Sequence, residues 1–235
     1  MNIMLYGDPG AGKTFLAEAL ATEMGLKLYT LDLDGGSSNM TNGTSSGKLT
    51  SLGAYKSAVA KVKKDGLPDG CNALLLDNVS MLQDHIIGLV EQGGREPGSM
   101  DIQKWGKVSR ALFEEVLLLT AITPILFVNA QERVDKADAL KANSPVVKIA
   151  PGMTPSAMIK VVSLMSYCWR VRLGANKRTL TLNSAYPVFA KTRMLCGRTV
   201  DEIFGGPIID KYDPSVLAKE LMAEAKRSEE KETNK

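Results

Sequence analysis

Residues 7–14 read Gly7-Asp8-Pro9-Gly10-Ala11-Gly12-Lys13-Thr14, GDPGAGKT, and fill every position of the pattern G-x-x-x-x-G-K-[ST]. Each part of that pattern has a physical task. The glycines let the backbone wrap closely and present N–H groups to phosphate oxygens. A following helix points its positive dipole end at the same oxygens. Lys13 reaches the β- and γ-phosphates, and the Thr14 hydroxyl holds Mg²⁺. The context agrees. The apolar run NIMLY at 2–6 reads as a strand ending at the loop, and FLAEALATEMG has helical spacing with a stop at Gly25. The nucleotide-contacting residues are therefore Gly7, Asp8, Pro9, Gly10, Ala11, Gly12, Lys13, Thr14 and Phe15.

Working outward, KLYTLDLD at 27–34 reads as a second strand, and GGSSNMTNGTSSG at 35–47 as a mobile polar loop. An amphipathic helix is predicted over 51–64. NALLLDN at 72–78 is a continuous apolar run ending in acid, the mark of a strand buried on both faces of a parallel sheet. Residues 79–91 read as a helix, GGREPGSMDIQKW as a loop, 106–121 as a helix and PILFVNAQ at 124–131 as a strand. Strands alternating with helices at this spacing imply βαβ units with right-handed crossovers. From about residue 165 the pattern changes to a β-hairpin, YCWRVRL–GANK–RTLTL, and YPVFAKTR adds an edge strand. The expected fold is α/β: a P-loop NTPase with a mostly parallel central sheet, flanking helices and C-terminal hairpin and edge strands. Residues 1–212 form the core, and 213–235 a helix that frays near 227 into a disordered polar tail.

Composition bounds the reading. The 235 residues are 44% hydrophobic and 23% charged, ordinary for a soluble globular chain. The most apolar run, ALFEEVLLLTAITPILFV, contains Glu114, Glu115 and Pro124, so no membrane span is expected. Nothing resembles a secretory leader, and the expected location is the cytoplasm. Cys71, Cys168 and Cys196 form no metal or disulfide spacing, and the one histidine, His85, lies on an apolar helical stretch. No Asp or Glu occurs from Ala139 to Val200, a stretch with ten cations; the rest of the chain then carries −7 of the overall +3. A polyanion-facing half follows, with nucleic acid as the expected polyanion.

The chemistry needs acids beside the phosphates. Asp77, ending its buried strand, can hold the Mg²⁺ shell through water opposite Thr14. Asp32 and Asp34 end the second strand. Asp34 is the better placed to orient a water on the γ-phosphate, and Glu132 is its rival. Gln131 can sense the γ-phosphate and pass the signal to the loop beyond.

In this order, GDPGAGKT, LYTLDLD, ALLLDN, ILFVNAQ and AKTR resemble the RecA-like recombinase and RadA/Sms branch of P-loop ATPases over roughly residues 2–200. The likeness is greatest to short phage nucleotide-binding proteins of single-strand annealing and recombination. It implies an ATP- and Mg²⁺-dependent ATPase in a ring or filament of identical subunits on single-stranded DNA, with a single-strand-binding protein as a candidate partner. AKTR resembles the Lys-x-Arg motif, so Lys191 and Arg193 become fingers reaching a neighbour's ATP. Residue alternation puts them on one face of their strand. DNA-gripping loops would be Gln92–Lys104, with Arg95, Lys104 and a stacking Trp105, and Arg133–Pro155, with Arg133, Lys136, Lys141 and Lys148 against Asp135 and Asp138. Asp34 departs from the family's usual Glu, and with its first strand at residue 2 the chain reads as a core-only version. The competing classes are an ATP-dependent loader or packaging-type motor acting on a protein, and a small-molecule kinase. A kinase usually closes a late helical lid, where this chain predicts a hairpin.

Overall fold

The structure, a computed structural model, describes residues 1–68, 70–92, 100–136, 146–174, 177–184, 187–193, 199–210 and 212–233. In chain order the elements are β1 (Asn2–Gly7), α1 (Lys13–Glu23), β2 (Leu28–Asp32), a 3₁₀ turn (Gly36–Asn39), β3 (Gly43–Lys48), α2 (Leu52–Asp65), β4 (Ala73–Asp77), α3 (Val79–Gln92), α4 (Ile102–Ile122), β5 (Leu126–Lys136), β6 (Val146–Pro151), α5 (Pro155–Ser163), β7 (Tyr167–Leu173), β8 (Arg178–Thr181), β9 (Lys191–Thr192), α6 (Val200–Phe204), β10 (Ile208–Asp210) and α7 (Pro214–Thr233).

The main sheet runs β10-β8-β7-β1-β5-β4-β2-β3. The six neighbours from β7 to β3 pair in parallel; β8 and β10 continue antiparallel at one edge, and β9 pairs antiparallel with β7. The central strands are mostly apolar because both faces are covered, with the polar exceptions Thr30, Asp32, Asp77, Asn129 and Arg170. On β1, Met4 and Tyr6 enter the core under α2, α3, α4 and α5, while Ile3 and Leu5 enter the core under α1 and α7. Leu74 and Leu76 of β4 face the first core, and Ala73 and Leu75 the second. Each such fully buried Leu contributes about 1.5–3 kcal/mol. Among the described residues no helix is long and apolar enough to cross a membrane.

Four local expectations change. The 35–47 stretch is not a featureless loop: it makes the 3₁₀ turn and then β3, parallel to β2. It is ordered by acids that the sequence left unassigned. Glu18 of α1 accepts from the backbone N–H groups of Thr41 (2.5 Å) and Asn42 (2.6 Å), and Asp32 accepts from Ser37 Oγ (2.5 Å). The helix expected at 106 begins at Ile102, because Asp101 caps it by accepting from Lys104 N at 2.7 Å. The strand expected to stop at 131 runs on to Lys136, and its outer half pairs antiparallel with β6 as a ribbon. The last helix continues to Thr233 instead of fraying near 227, packed through Leu217, Ala218 and Leu221 with α1.

Candidate functional site

The loop between β1 and α1 takes its shape from glycine. Gly10 and Gly12 have φ of 77° and 92°, in the left-handed region, and Gly12 caps α1. At Gly7 the reason is space: a Cβ there would lie 2.0 Å from the Val171 carbonyl oxygen. Register places Gly7 beside Gln131 at the carboxyl ends of the parallel strands, where ligands gather in open α/β sheets. A cavity of ≈ 410 Å³ opens there, lined by Pro9, Gly10, Gly12, Lys13, Thr14 and Phe15 from the loop and helix; Asp34, Asp77, Asn78 and Gln131 close its other side. Of the expected nucleotide contacts, Gly7, Asp8 and Ala11 do not line the cavity.

Lys13 is buried, and its ammonium donates to the carbonyls of Gly7 (3.0 Å) and Asp8 (2.9 Å), folded over the loop's own acceptors. Burial lowers its pKa, and the carboxylates of Asp77, Asp34 and Asp8 oppose that. The Thr14 hydroxyl donates to Asp77 Oδ2 at 2.5 Å, and Asn129 Nδ2 donates to Thr14 Oγ1 at 3.3 Å. Burial, with the charge of Asp34, pushes the Asp77 carboxyl up to about 6; its bonds to Thr14 and Asn129 act the other way. Asn129 Oδ1 is buried without a hydrogen-bond partner. These are hard oxygen donors, the type Mg²⁺ prefers. Among the described residues no cluster of three or more His, Cys, Asp or Glu could hold a metal on protein ligands alone. The hydroxyl and carboxylate fit an ion held by one or two protein groups and completed by phosphate oxygens.

The two acids ending the second strand are now distinct. Asp32 is consumed by structure, accepting from Gly35 N (2.7 Å) and Ser37. Asp34 is exposed on the cavity wall, held by Asn78 Nδ2 (2.8 Å) and Gly36 N (2.9 Å). Glu132, its rival, is clamped by Arg170 through two bonds of 2.7 and 2.9 Å, both side chains nearly buried, and does not line the cavity. Asn78, Asn129 and Gly36 went unnoticed in the sequence. The polar Asn78 directly after the β4 run, and the polar Asn129 interrupting the apolar run of β5, were the available signal.

Gln131 reaches the cavity, and its backbone N–H donates to Ser80 Oγ (3.0 Å) while its carbonyl accepts from Gly152 N (2.7 Å). Lys191 and Arg193 lie elsewhere. Lys191 pairs with Cys168, which is level with Met4, so it stands three residues, about 10 Å, short of Gly7 along the sheet. Its ammonium donates to Val162 O (2.9 Å) and Met165 O (2.7 Å), at the end of α5. Arg193 is exposed. Neither touches its own chain's cradle.

In the stretches expected to grip DNA, Arg95, Asp138 and Lys141 lie outside the described residues. Trp105 is half-buried in α4 rather than in a loop. Arg133 is paired with Asp135 and also donates to the Met153 carbonyl, and Lys148 sits 5.2 Å over the Phe189 ring. Within the acid-free stretch, Arg170 and Lys177 find acids outside it, in Glu132 and Asp210. Arg198 lies outside the described residues.

A parallel α/β sheet with this loop, a buried acid bonded to the loop threonine and a second acid facing the cavity defines a P-loop nucleotide-binding domain. The AAA domain family matches residues 1–194, and the chain belongs to that family. Solved structures similar to it include a RadB recombinase, at 12% identity and TM-score 0.48 over 79% of this chain and 82% of that one. A second solved structure, an ATPase domain, is similar at 9% identity and TM-score 0.46, over 92% of this chain and 82% of that one. No protein of curated function matches the sequence.

Proposed function

We propose that the chain is a Mg²⁺-dependent ATPase that works as an oligomer on single-stranded DNA, in recombination or strand annealing. The observation that carries the ATPase reading is the convergence of Lys13, Thr14, Asp77, Asp34 and Gln131 on one cavity. Lys13 leaves the two loop carbonyls for phosphate oxygens, a charge-assisted exchange. Asp34 orients and deprotonates the attacking water, and the amide of Asn78 keeps its second oxygen aimed. When bound, Mg²⁺ neutralises phosphate charge, with Thr14 and Asp77 as its protein-side holders. Gln131 touches the cavity with its side chain and the β6 arm with its backbone, which suits a sensor.

The oligomer and its DNA rest on two further observations. Lys191 and Arg193 do not line their own chain's cavity, and the stretch from 139 to 200 has no acid. The trans-finger role falls more naturally to Arg193, since Lys191 has two carbonyls to leave. A kinase is disfavoured by the β7–β8 hairpin standing where a helical lid would be; a motor acting on a protein partner remains the second class.

The test is ATP turnover with Mg²⁺, with and without single-stranded DNA, across protein concentrations. DNA stimulation and a per-subunit rate rising with concentration are expected. In that assay Arg193→Ala and Lys191→Ala should bind ATP and turn it over slowly. A concentration-independent rate that DNA leaves unchanged would remove the shared site and the DNA together. Binding of single-stranded DNA should weaken steeply between low and moderate salt.

A further inference from the structure

Phe15 follows directly on the cradle threonine, inside the first turn of α1, yet 57% of its surface is exposed. A helix with its apolar face on the core has no packing reason to put a phenylalanine there. Its ring is not bare: the guanidinium carbon of Arg178, from β8, stands 5.4 Å from the ring centroid. The same guanidinium lies over the loop, because a Cβ built on Gly12 would meet Arg178 Nε at 3.1 Å. Arg178 has no ion pair with any described residue, and its guanidinium rests against that aromatic face.

The position of this pair along the site is informative. Asp34 follows β2, Asp77 ends β4 and Gln131 lies midway along β5, all on one side of β1; β8 lies on the other side. A nucleoside triphosphate that keeps its terminal phosphate beside those acids must leave the cradle past Phe15. We propose that Phe15 and Arg178 form the base-binding end of the site, with the nucleobase entering between the phenyl ring and the guanidinium. This rests on the nucleotide reading given above and adds to it a subsite for the base. Two stacked contacts of about 3.5 Å need roughly 7 Å between the flanking planes. At 5.4 Å the pair is closed, and Arg178 lifts to admit the base. Its hairpin edge can yield without disturbing the core, as both side chains are exposed. Every nucleobase presents a π-face, so this end reads planarity and not a hydrogen-bonding edge.

Calorimetric titration of the full chain with Mg²⁺-ATP and with Mg²⁺-tripolyphosphate separates base from phosphate. Phe15→Ala and Arg178→Ala should each weaken ATP roughly tenfold and leave tripolyphosphate unchanged. Arg178→Lys keeps the charge but not the plane and should behave like Arg178→Ala. Equal loss for both ligands would overturn the proposal, making Arg178 a phosphate contact. Unchanged affinity for both would overturn it as well. If the unaltered chain binds neither ligand, the nucleotide reading itself has failed, and the base subsite goes with it. Far-ultraviolet circular dichroism of each variant, expected to match the unaltered chain, guards against a folding defect.

Discussion

Replacing Asp77 by Asn should make the empty protein more stable and the enzyme inactive. Asp77 is buried beside Asp34, and its carboxyl is pushed from 3.8 up to about 6. The folded state therefore holds this proton more tightly than the unfolded chain. Below about pH 4 both states are protonated and nothing is lost. As pH rises through 4–6 the unfolded chain ionises first, and stability falls; above about pH 6 the loss is complete. A lift of that size corresponds to roughly 3 kcal/mol, an upper value because part of it comes from the neighbouring charge of Asp34. Asn carries no charge, and its amide oxygen still accepts from Thr14. In chelator at pH 7.5, Asp77→Asn should gain about 1–3 kcal/mol by urea denaturation. Its Tm should rise by roughly 3–10 °C for a domain of this size. The gap should close by about pH 4. Mg²⁺ with nucleotide should stabilise the unaltered protein more than the variant. A variant no more stable than the parent at pH 7.5, or a gap indifferent to pH, would refute the reasoning.

Asp34→Asn should retain ATP affinity and lose turnover by about 10²–10⁴-fold, read by single-turnover phosphate release. Arg170→Ala leaves Glu132 charged and unpaired in a nearly buried site, and should cost about 3–5 kcal/mol in urea denaturation; Glu132→Leu with Arg170→Met should recover most of it. Gly7→Ala drives a methyl into the Val171 carbonyl, so it should lose about 1–3 kcal/mol or fail to accumulate in soluble form, read from yield and melting temperature.

The central strands and the cradle were legible because their signals are local. A buried parallel strand is a run of apolar residues whatever its neighbours, and GDPGAGKT carries its own backbone demands. Asp77 was legible for the same reason, ending such a run. The 35–47 stretch is misleading in sequence, since its order comes from Glu18 and Asp32, tens of residues away or hidden inside another element. Polar residues that anchor a loop look the same in sequence as polar residues that solvate one. That Glu132 lies off the cavity, clamped by Arg170 38 residues on, could not be read from its neighbours in sequence. Phe15 with Arg178 could not be paired from sequence at all, because only the strand order brings β8 beside the cradle.

The length of β5 has a mechanical meaning. One continuous strand, Leu126–Lys136, is clamped for its first part between β1 and β4 and projects for the rest as one rail of the ribbon with β6. Gln131 sits at the fulcrum. The five residues beyond it span about 16 Å. A tilt of about 10° at Gln131 would therefore swing the far end through roughly 3 Å. The side chain proposed to sense phosphate thus sits at the pivot of a lever whose long arm is the ribbon.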